Sequence, residues 1–209
     1  PERPSELGIA TAEGKDEWWQ GQREVIERIV EAFRDKRFVL ANIPTGGGKS
    51  IVSTAVQRYM GVSSVNLTHT IHLQNQLTKT LPWATFVTGR RNHKCELPSI
   101  MDQPATAADA PCSEGDPCEY IRSDGCSYYK MLFAAAGNQQ TILNYAFATR
   151  VMQGGGLRVG KTNPFHRDML VCDEADLAEG AIVEAAAIRF YKKSRTWVES
   201  PVDPPSFDS

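Results

Sequence analysis

The sequence lacks a long apolar run and an export leader. Its 209 residues contain no stretch of roughly 18 consecutive apolar residues, the length that a membrane-spanning helix needs. The opening PERPSELGIATAEGKDEWW has no apolar segment of the kind found in signal peptides. These absences argue against a membrane partner and against export, and we expect an intracellular protein.

The sequence also lacks an excess of charge of one sign. It has 23 Lys and Arg against 25 Asp and Glu, a formal net charge of −2. This balance excludes the overall basic field that many nucleic-acid-binding proteins carry. Any contact with DNA or RNA must therefore depend on a local group of residues.

Cysteine is scarce, and the five cysteines are an odd number. Without an export leader a framework of disulfides is not expected, which leaves metal ligation or burial as the roles of the thiols. Cys172 lies in an apolar run, where burial is the favoured interpretation. The other four fall in a proline-punctuated segment of low apolar content: Cys95, Cys112, Cys118 and Cys126.

The sequence does contain an alternation of helical and strand-like patterns. Apolar residues at spacings of three and four predict helices near 25–33, 49–60, 73–81, 128–135, 145–152 and 178–187. Short apolar runs predict strands at 38–43, 65–68, 84–87, 141–144 and 169–172. This alternation is typical of an α/β fold with a mostly parallel sheet and helices on both of its faces.

The regular pattern is interrupted between about 89 and 127. Prolines recur there and the periodicity is lost, so we interpret the segment as an insertion into the α/β domain. The polar, proline-rich end of the sequence resembles a boundary within a longer protein. We therefore expect a first part of the α/β domain, a four-cysteine insert, a second part of the domain and a polar tail or truncation point, at 1–88, 89–127, 128–193 and 194–209.

A glycine-rich turn lies between the strand predicted at 38–43 and the helix predicted at 49–60. Its sequence Pro-Thr-Gly-Gly-Gly-Lys-Ser matches the end of a phosphate-binding P-loop, although Ile43 stands where the general pattern has its first glycine. Glycines let successive amides face phosphate groups, Lys49 would reach the β and γ phosphates, and Ser50 would hold Mg²⁺. A glycine turn with a solvated lysine is the simpler alternative. The flanking elements favour an ATP site made by Thr45, Gly46, Gly47, Gly48, Lys49 and Ser50.

An acidic pair follows the last predicted strand. The sequence after 169–172 is Asp-Glu-Ala-Asp, and an acidic residue at the end of a buried strand is the second half of a P-loop ATPase site. Asp173 would coordinate Mg²⁺, and Glu174 would act as general base on the attacking water. Such a cluster alone is more often a helix N-cap. Together with the glycine turn, it favours catalysis by Lys49, Asp173 and Glu174.

The four cysteines of the insert are separated by 16, 5 and 7 residues. This spacing lacks the close pairs of a zinc ribbon and by itself identifies no metal. Four thiolates in a segment too poor in apolar residues to pack its own core nonetheless favour a metal centre. They suit a [4Fe-4S] cluster or a single Zn²⁺ equally, and scattered buried or free thiols are the alternative.

The glycine turn, the acidic pair and the cysteine insert together resemble the superfamily 2 helicases, and within them the iron–sulfur helicases of the XPD and DinG type. The resemblance implies a RecA-like P-loop NTPase domain with an inserted cluster subdomain, and ATP and Mg²⁺ as cofactors. It implies that Gln22, which follows a Trp-Trp pair, reads the adenine edge. It also favours a [4Fe-4S] cluster over Zn²⁺ on Cys95, Cys112, Cys118 and Cys126.

Two groups of residues are similar to family segments that touch a single nucleic-acid strand. Thr68, His69 and Thr70 belong to the first, although strand and cap roles would explain the threonines equally well. The second, just before Cys95, is a cluster of cations suited to phosphate or to plain solvation: Arg90, Arg91 and Lys94. Residues 90–130 include five Lys or Arg and seven Asp or Glu, so any basic surface there is local.

The resemblance implies an ATP-dependent DNA helicase motor that moves 5′ to 3′ on single-stranded or forked DNA, in replication or repair. Such motors take an arginine finger from a second RecA-like domain, which we do not find in this sequence, so we expect ATP binding with weak hydrolysis. The Asp-Glu-Ala-Asp spelling departs from the Asp-Glu-Ala-His of XPD-like members and matches DEAD-box proteins, which lack the cysteine insert. A DEAD-box-like RNA helicase and a metal-stabilised nucleic-acid-binding module with a vestigial P-loop are the alternatives.

Overall fold

Four strands form one parallel sheet. The computed structural model describes residues 2–9, 16–72, 74, 77, 81–97, 105–116, 118–121, 125–153, 166–180 and 183. Within them, the strands follow the spatial order β2-β3-β1-β4, where the elements are β1 (Ser64–Thr68), β2 (Thr85–Phe86), β3 (Gln140–Asn144) and β4 (Met169–Cys172). Every strand pair is parallel. The expected α/β fold with a parallel sheet is therefore confirmed.

The longer helices follow the predicted periodicity closely. They are α1 (Gln22–Ala32), α2 (Lys49–Met60), α3 (Ser127–Gly137) and α4 (Tyr145–Gln153). α2 ends where its sequence predicts, because Gly61 adopts the left-handed conformation with φ 66° and donates its amide to the Arg58 carbonyl. In the described part of the chain, no helix has the length and apolar character needed to cross a membrane.

The two central strands, β1 and β3, are buried almost throughout. This is the environment expected of interior strands in a parallel sheet covered by helices. Leu67 of β1 lies opposite Leu143 of β3 on one side and Cys172 of β4 on the other. One core cluster packs these strands against α3 and α4, and a second packs α1 and α2 together with Met169 at the start of β4.

The strand predicted at 38–43 is wrong. These residues form no strand, and the side chains of Phe38 and Leu40 are 85% and 93% exposed. An apolar run becomes a strand only where a neighbouring strand satisfies its amides and carbonyls. No described strand pairs with this segment, so Phe38 and Leu40 stay in solvent, while Ile43 packs against the cluster of α1 and α2.

The burial expected for Cys172 is also wrong. β4 pairs with β1 on one side, and no described strand pairs with its other side. Exposure alternates along β4, so that Leu170 is 56% exposed and the Cys172 thiol is exposed as well. The apolar run at Met169–Cys172 thus lies at a sheet edge rather than in the sheet interior.

Candidate functional site

The glycine turn before α2 adopts a conformation that other residues would resist. Gly46 and Gly48 have φ values of 82° and 75°, in the left-handed region that costs an L-residue about 1–2 kcal/mol. A Cβ on Gly47 would lie 2.9 Å from Ile43 Cγ2 and 3.0 Å from the Pro44 oxygen. Two glycines are therefore required by conformation and the third by space.

The turn presents backbone amides at the start of α2. No described side chain caps this end of the helix, and the first helical bonds run from the amides of Ile51 and Val52 to the Gly48 carbonyl. The Gly47 amide donates to the Pro44 carbonyl at 3.0 Å within the turn. The amides of Gly48, Lys49 and Ser50, at the positive end of the helix dipole, are therefore the ones suited to bind phosphate. Lys49 and Ser50 are the first two residues of the helix, and both are half-buried.

A short connection joins the end of α2 to the start of β1. The chain reverses at Gly61 and enters β1 directly. The 12 residues of α2 span about 18 Å, and the 5 residues of β1 span about 16 Å. A hydrogen bond of 3.0 Å from Gln140 Nε2 to Thr54 Oγ1 holds the middle of α2 against β3. Gln140 is the first residue of β3, so this bond places the middle of α2 near the amino end of that strand.

The acidic pair emerges at the carboxyl edge of the sheet. β4 is parallel to β1 with Cys172 opposite Leu67, and the Asp173 amide donates to the Leu67 carbonyl at 3.0 Å. Glu174 follows in the left-handed conformation, with φ 52° and ψ 51°. Both acidic residues are half-buried. The carboxyl edge of a parallel sheet is where ligands bind in open α/β folds.

Tyr145 was assigned no chemistry from the sequence. Its hydroxyl donates to the Asp173 carbonyl at 2.8 Å, and the residue is 3% exposed. The sequence places these residues 28 positions apart, and only the strand order brings the start of α4 within reach of the end of β4. The tyrosine directly after the strand predicted at 141–144 was the single available signal.

Gln22 joins the segment before α1 to the glycine turn. It is 7% exposed, its Oε1 accepts from the Trp19 amide at 3.0 Å, and its Nε2 donates to the Gly47 carbonyl at 3.1 Å. Gln22, the residue expected to read adenine, therefore contacts the glycine turn. Its contact with a base stays a prediction.

The three residues expected to meet a nucleic-acid strand after β1 have different surroundings. Thr68 is 2% exposed, and its hydroxyl donates to the Thr70 carbonyl at 3.4 Å. His69 and Thr70 are exposed just beyond β1, at the carboxyl edge of the sheet. Their side chains, rather than that of Thr68, are the ones accessible to a ligand at this edge.

The Arg90 guanidinium is engaged by the cysteine segment. It donates to Cys112 Sγ at 3.4 Å and to the Tyr129 hydroxyl at 3.0 Å, and it stacks over the Tyr128 ring at 4.7 Å. Burial lowers the pKa of Arg90, but these hydrogen bonds outweigh burial and the pKa is raised. Arg91 and Lys94 are exposed, so these two cations are the ones that face solvent.

Three of the four cysteines of the insert share one cluster, and Cys126 lies near Cys118 but packs against the core of the sheet. Cys95 and Cys112 are 8% and 9% exposed and share a cluster against which Cys118 packs. Burial raises the pKa of the Cys118 thiol, and the nearby thiols of Cys112 and Cys126 raise it further. Among the described residues, however, no group of three or more Cys, His, Asp or Glu side chains is placed to hold a metal ion. The thiols are gathered without forming a ligand set.

A short antiparallel pairing folds the cysteine segment back on itself. The Cys95 amide donates to the Ala105 carbonyl at 3.0 Å, and the Ala107 amide donates to the His93 carbonyl at 2.7 Å. This pairing turns the chain after Cys95 back toward Cys112. The boundaries of the insert at 89–127 stay a prediction, and the tail predicted at 194–209 lies outside the described residues.

Comparison with known proteins identifies the fold. No protein-family model matches the sequence, and no curated protein matches it. A solved structure described as a truncated XPD aligns with a TM-score of 0.56 and 16% identity, over 76% of this chain and 53% of that chain. This chain has an XPD-like fold. It spans about half the length of that structure, and an identity this low shows the fold alone.

The XPD-like fold agrees with the RecA-like domain expected from the sequence. Its parallel sheet has the acidic pair directly after β4, at the carboxyl edge. The nucleotide, the metal centre and the nucleic-acid contacts of this chain stay predictions.

Proposed function

We propose that the chain is the first motor domain of an ATP-dependent DNA helicase of the XPD and DinG type. The observation that carries the proposal is the occurrence of two motifs in an XPD-like fold: a glycine turn that leaves the start of α2 uncapped by any described side chain, and an acidic pair directly after β4 at the carboxyl edge of the sheet. The turn amides and Lys49 bind the phosphates, Ser50 and Asp173 hold Mg²⁺, and Glu174 orients and deprotonates water. ATP would supply the phosphoanhydride bond that is hydrolysed, and Mg²⁺ would supply positive charge beside its phosphates.

A motor of this kind requires a second RecA-like domain. That domain provides an arginine finger worth several powers of ten in rate, so this chain alone binds ATP and hydrolyses it slowly. Alternating closure and release of the two domains moves the nucleic-acid strand, and the direction proposed is 5′ to 3′. His69 and Thr70 at the carboxyl edge, with Arg91 and Lys94 nearer the cysteines, are proposed to contact single-stranded or forked DNA through its phosphates.

The nucleotide site is tested by replacing its lysine. Lys49→Ala removes the ammonium group proposed to bind the phosphates, and loss of a charged hydrogen bond lowers ATP affinity by about tenfold or more. The control is Lys36→Ala, which removes an exposed ammonium that pairs with the neighbouring Asp35 at 3.2 Å. Titration calorimetry with ATP and Mg²⁺ measures both variants. Equal affinity of Lys49→Ala and Lys36→Ala contradicts the proposed site.

The nucleic-acid substrate is tested in the protein that includes the second domain. Single-stranded DNA is expected to stimulate ATP hydrolysis, and Lys49→Ala to abolish the stimulated rate. Stronger stimulation by RNA supports the DEAD-box-like alternative, whose Asp-Glu-Ala-Asp spelling this chain shares. No stimulation by either nucleic acid supports the module with a vestigial P-loop.

For the cysteine segment, we propose that Cys95, Cys112, Cys118 and Cys126 hold a [4Fe-4S] cluster. The donor chemistry supports this, because three of the free thiols share one cluster, Cys126 lies near Cys118, and the Arg90 guanidinium donates to Cys112. A bound cluster would cross-link the separate chain segments that carry the four thiols. The cluster is expected to confer a brown colour and stoichiometric iron on protein purified without oxygen.

The control for the cysteine assignment is the fifth cysteine. Cys112→Ser is expected to lose iron and visible absorption, whereas Cys172→Ser, at the exposed edge of β4, keeps both. A colourless protein with one zinc ion per chain instead supports the zinc alternative. Retention of full iron content by Cys112→Ser contradicts the ligand assignment.

A further inference from the structure

The Tyr145 hydroxyl reaches the backbone of the proposed magnesium site from another part of the sheet. Tyr145 is the first residue of α4 and directly follows β3. Its side chain packs in the core cluster with Val65, Leu67 and Leu143, and its hydroxyl donates to the Asp173 carbonyl at 2.8 Å. The buried ring therefore holds the hydroxyl at a fixed place relative to β1 and β4.

The bonded carbonyl belongs to the peptide that joins the two acidic residues. Beyond it, Glu174 has φ 52° and is the one non-glycine residue with positive φ among those described. Left-handed backbone is unfavourable for a glutamate, and such outliers persist where surrounding structure holds them, often at functional sites. The Asp173 amide is held by Leu67, and the Glu174 carbonyl by the Leu177 amide at 2.9 Å. Tyr145 fixes the peptide between these two bonds.

We propose that Tyr145 is a positioning residue, which fixes the angle between the Asp173 and Glu174 side chains by holding the peptide between them. The orientation of that peptide sets the relative direction of the two Cα–Cβ bonds, and hence where one carboxylate stands when the other meets the metal. The inference rests on the proposed function, in which Asp173 holds Mg²⁺ and Glu174 activates water. Tyr145 itself touches neither the nucleotide nor the metal.

Burial favours the neutral form of the phenol, which donates the hydrogen bond. Burial raises the pKa of Tyr145, and the nearby Cys172 thiol raises it further. The neutral hydroxyl can donate to the Asp173 carbonyl, and that carbonyl does not titrate. This hydrogen bond holds the Asp173 carbonyl in place.

Tyr145→Phe tests the role, because it removes the hydroxyl and keeps the packed ring. Nucleotide affinity is measured by calorimetry on this chain with Mg²⁺ and with EDTA, and the ratio of the two affinities gives the gain due to magnesium. Loss of one hydrogen bond is expected to reduce that gain by about fivefold, while the affinity in EDTA stays unchanged. The matched control is Tyr128→Phe, a tyrosine of the same core cluster with 3% exposure, which is expected to alter neither affinity.

The outcomes separate this inference from the proposed function. Wild-type binding that Lys49→Ala weakens, combined with an unchanged magnesium gain in Tyr145→Phe, overturns the role of Tyr145 and leaves the nucleotide site intact. Absence of nucleotide binding by the wild-type chain overturns both. Equal reductions in EDTA and in Mg²⁺ also overturn the role, since they indicate a general loss of structure.

A second measurement does not depend on nucleotide. In Glu174→Gly the left-handed conformation is no longer unfavourable. The hydrogen bond from Tyr145 is then expected to contribute less to stability. Denaturant midpoints of Tyr145→Phe, Glu174→Gly and the double variant form a thermodynamic cycle. A smaller effect of Tyr145→Phe in the Glu174→Gly background supports the inference, and strictly additive effects overturn it.

Discussion

β3 and residues 38–43 show that apolar sequence alone does not decide burial. The buried strand Gln-Thr-Ile-Leu-Asn is the less apolar of the two, yet Gln140, Thr141, Ile142 and Leu143 are at most 2% exposed. The segment Phe-Val-Leu-Ala-Asn-Ile is the more apolar, and Phe38 and Leu40 are almost fully exposed. The difference is that β3 pairs with β2 and β1, whereas no described strand pairs with the other segment.

Pairing also explains how β3 tolerates polar side chains in the core. Gln140 accepts from Trp83 Nε1 at 2.9 Å and donates to Thr54 Oγ1 at 3.0 Å. A buried amide costs little when both of its ends are hydrogen-bonded. The position of a segment in the sheet, rather than its own composition, therefore sets which of its residues are buried.

The largest expected effect comes from deleting side-chain volume in the two segments. Ile142→Ala removes a fully buried side chain and is expected to lower the free energy of unfolding by about 2–5 kcal/mol. Leu40→Ala removes a side chain that is 93% exposed, and its effect is expected to stay within about 0.5 kcal/mol. Urea denaturation followed by circular dichroism measures both. A loss in Leu40→Ala as large as that in Ile142→Ala would contradict the comparison.

The same contrast marks what the sequence could predict of the fold. Periodicity located α2 and β4, because a helix bounded by glycines and a short apolar run before acidic residues are local signals. The prediction of a strand at 38–43 and the prediction that Cys172 is buried were wrong for the same reason. Whether an apolar run has a neighbour on each side depends on the sheet order, which no local pattern contains.

The features of the candidate site also divide into those set by local sequence and those that depend on distant contacts. The glycine turn could be predicted because each glycine there meets a local demand of conformation or space. The acidic pair could be predicted because it directly follows a strand. Three hydrogen bonds could not be predicted, because each joins residues at least 22 positions apart. They run from Tyr145 to Asp173, from Gln22 to Gly47 and from Arg90 to Cys112.

A smaller effect is expected where the interior of β3 carries an unpaired polar group. Thr141 is fully buried, and among the described residues its hydroxyl has no hydrogen-bond partner. Thr141→Val replaces that hydroxyl with a methyl group of similar size, and is expected to raise the free energy of unfolding by about 1 kcal/mol. Thermal and urea unfolding measure the change.

The control for Thr141 is a threonine whose hydroxyl is paired. Thr54 is equally buried, and its Oγ1 accepts from Gln140 Nε2 at 3.0 Å. Thr54→Val leaves that amide without its partner, so a loss of about 1–3 kcal/mol is expected. If both substitutions shift stability in the same direction, the hydroxyl of Thr141 has a partner in solution, and the contrast between paired and unpaired groups fails.

The smallest effect concerns the attachment of the edge strand. Asp168 precedes β4 and accepts from the Ser63 amide at 2.9 Å and the Ser63 hydroxyl at 2.7 Å. These hydrogen bonds, the hydroxyl first, lower the pKa of the exposed Asp168 carboxyl below its usual value. A lowered pKa means that the folded chain binds the proton less well than the unfolded chain does. The contribution of Asp168 is therefore full above the unfolded pKa and is lost as pH falls through the folded value.

Asp168→Asn should reveal this dependence at the edge and leave the interior strands unaffected. At pH 7 the substitution is expected to speed hydrogen exchange at the Met169 amide, which donates to the Ser63 carbonyl at 3.0 Å, while the Ile142 amide keeps its protection. As pH falls through the lowered folded pKa, the wild-type carboxyl becomes protonated as well, so the difference between the two proteins should shrink. Ser63→Ala, which removes the hydroxyl donor, should give the same pH dependence. A difference that persists unchanged to low pH would show that the carboxylate does not attach β4 to β1, and the edge strand would then depend on its ladder alone.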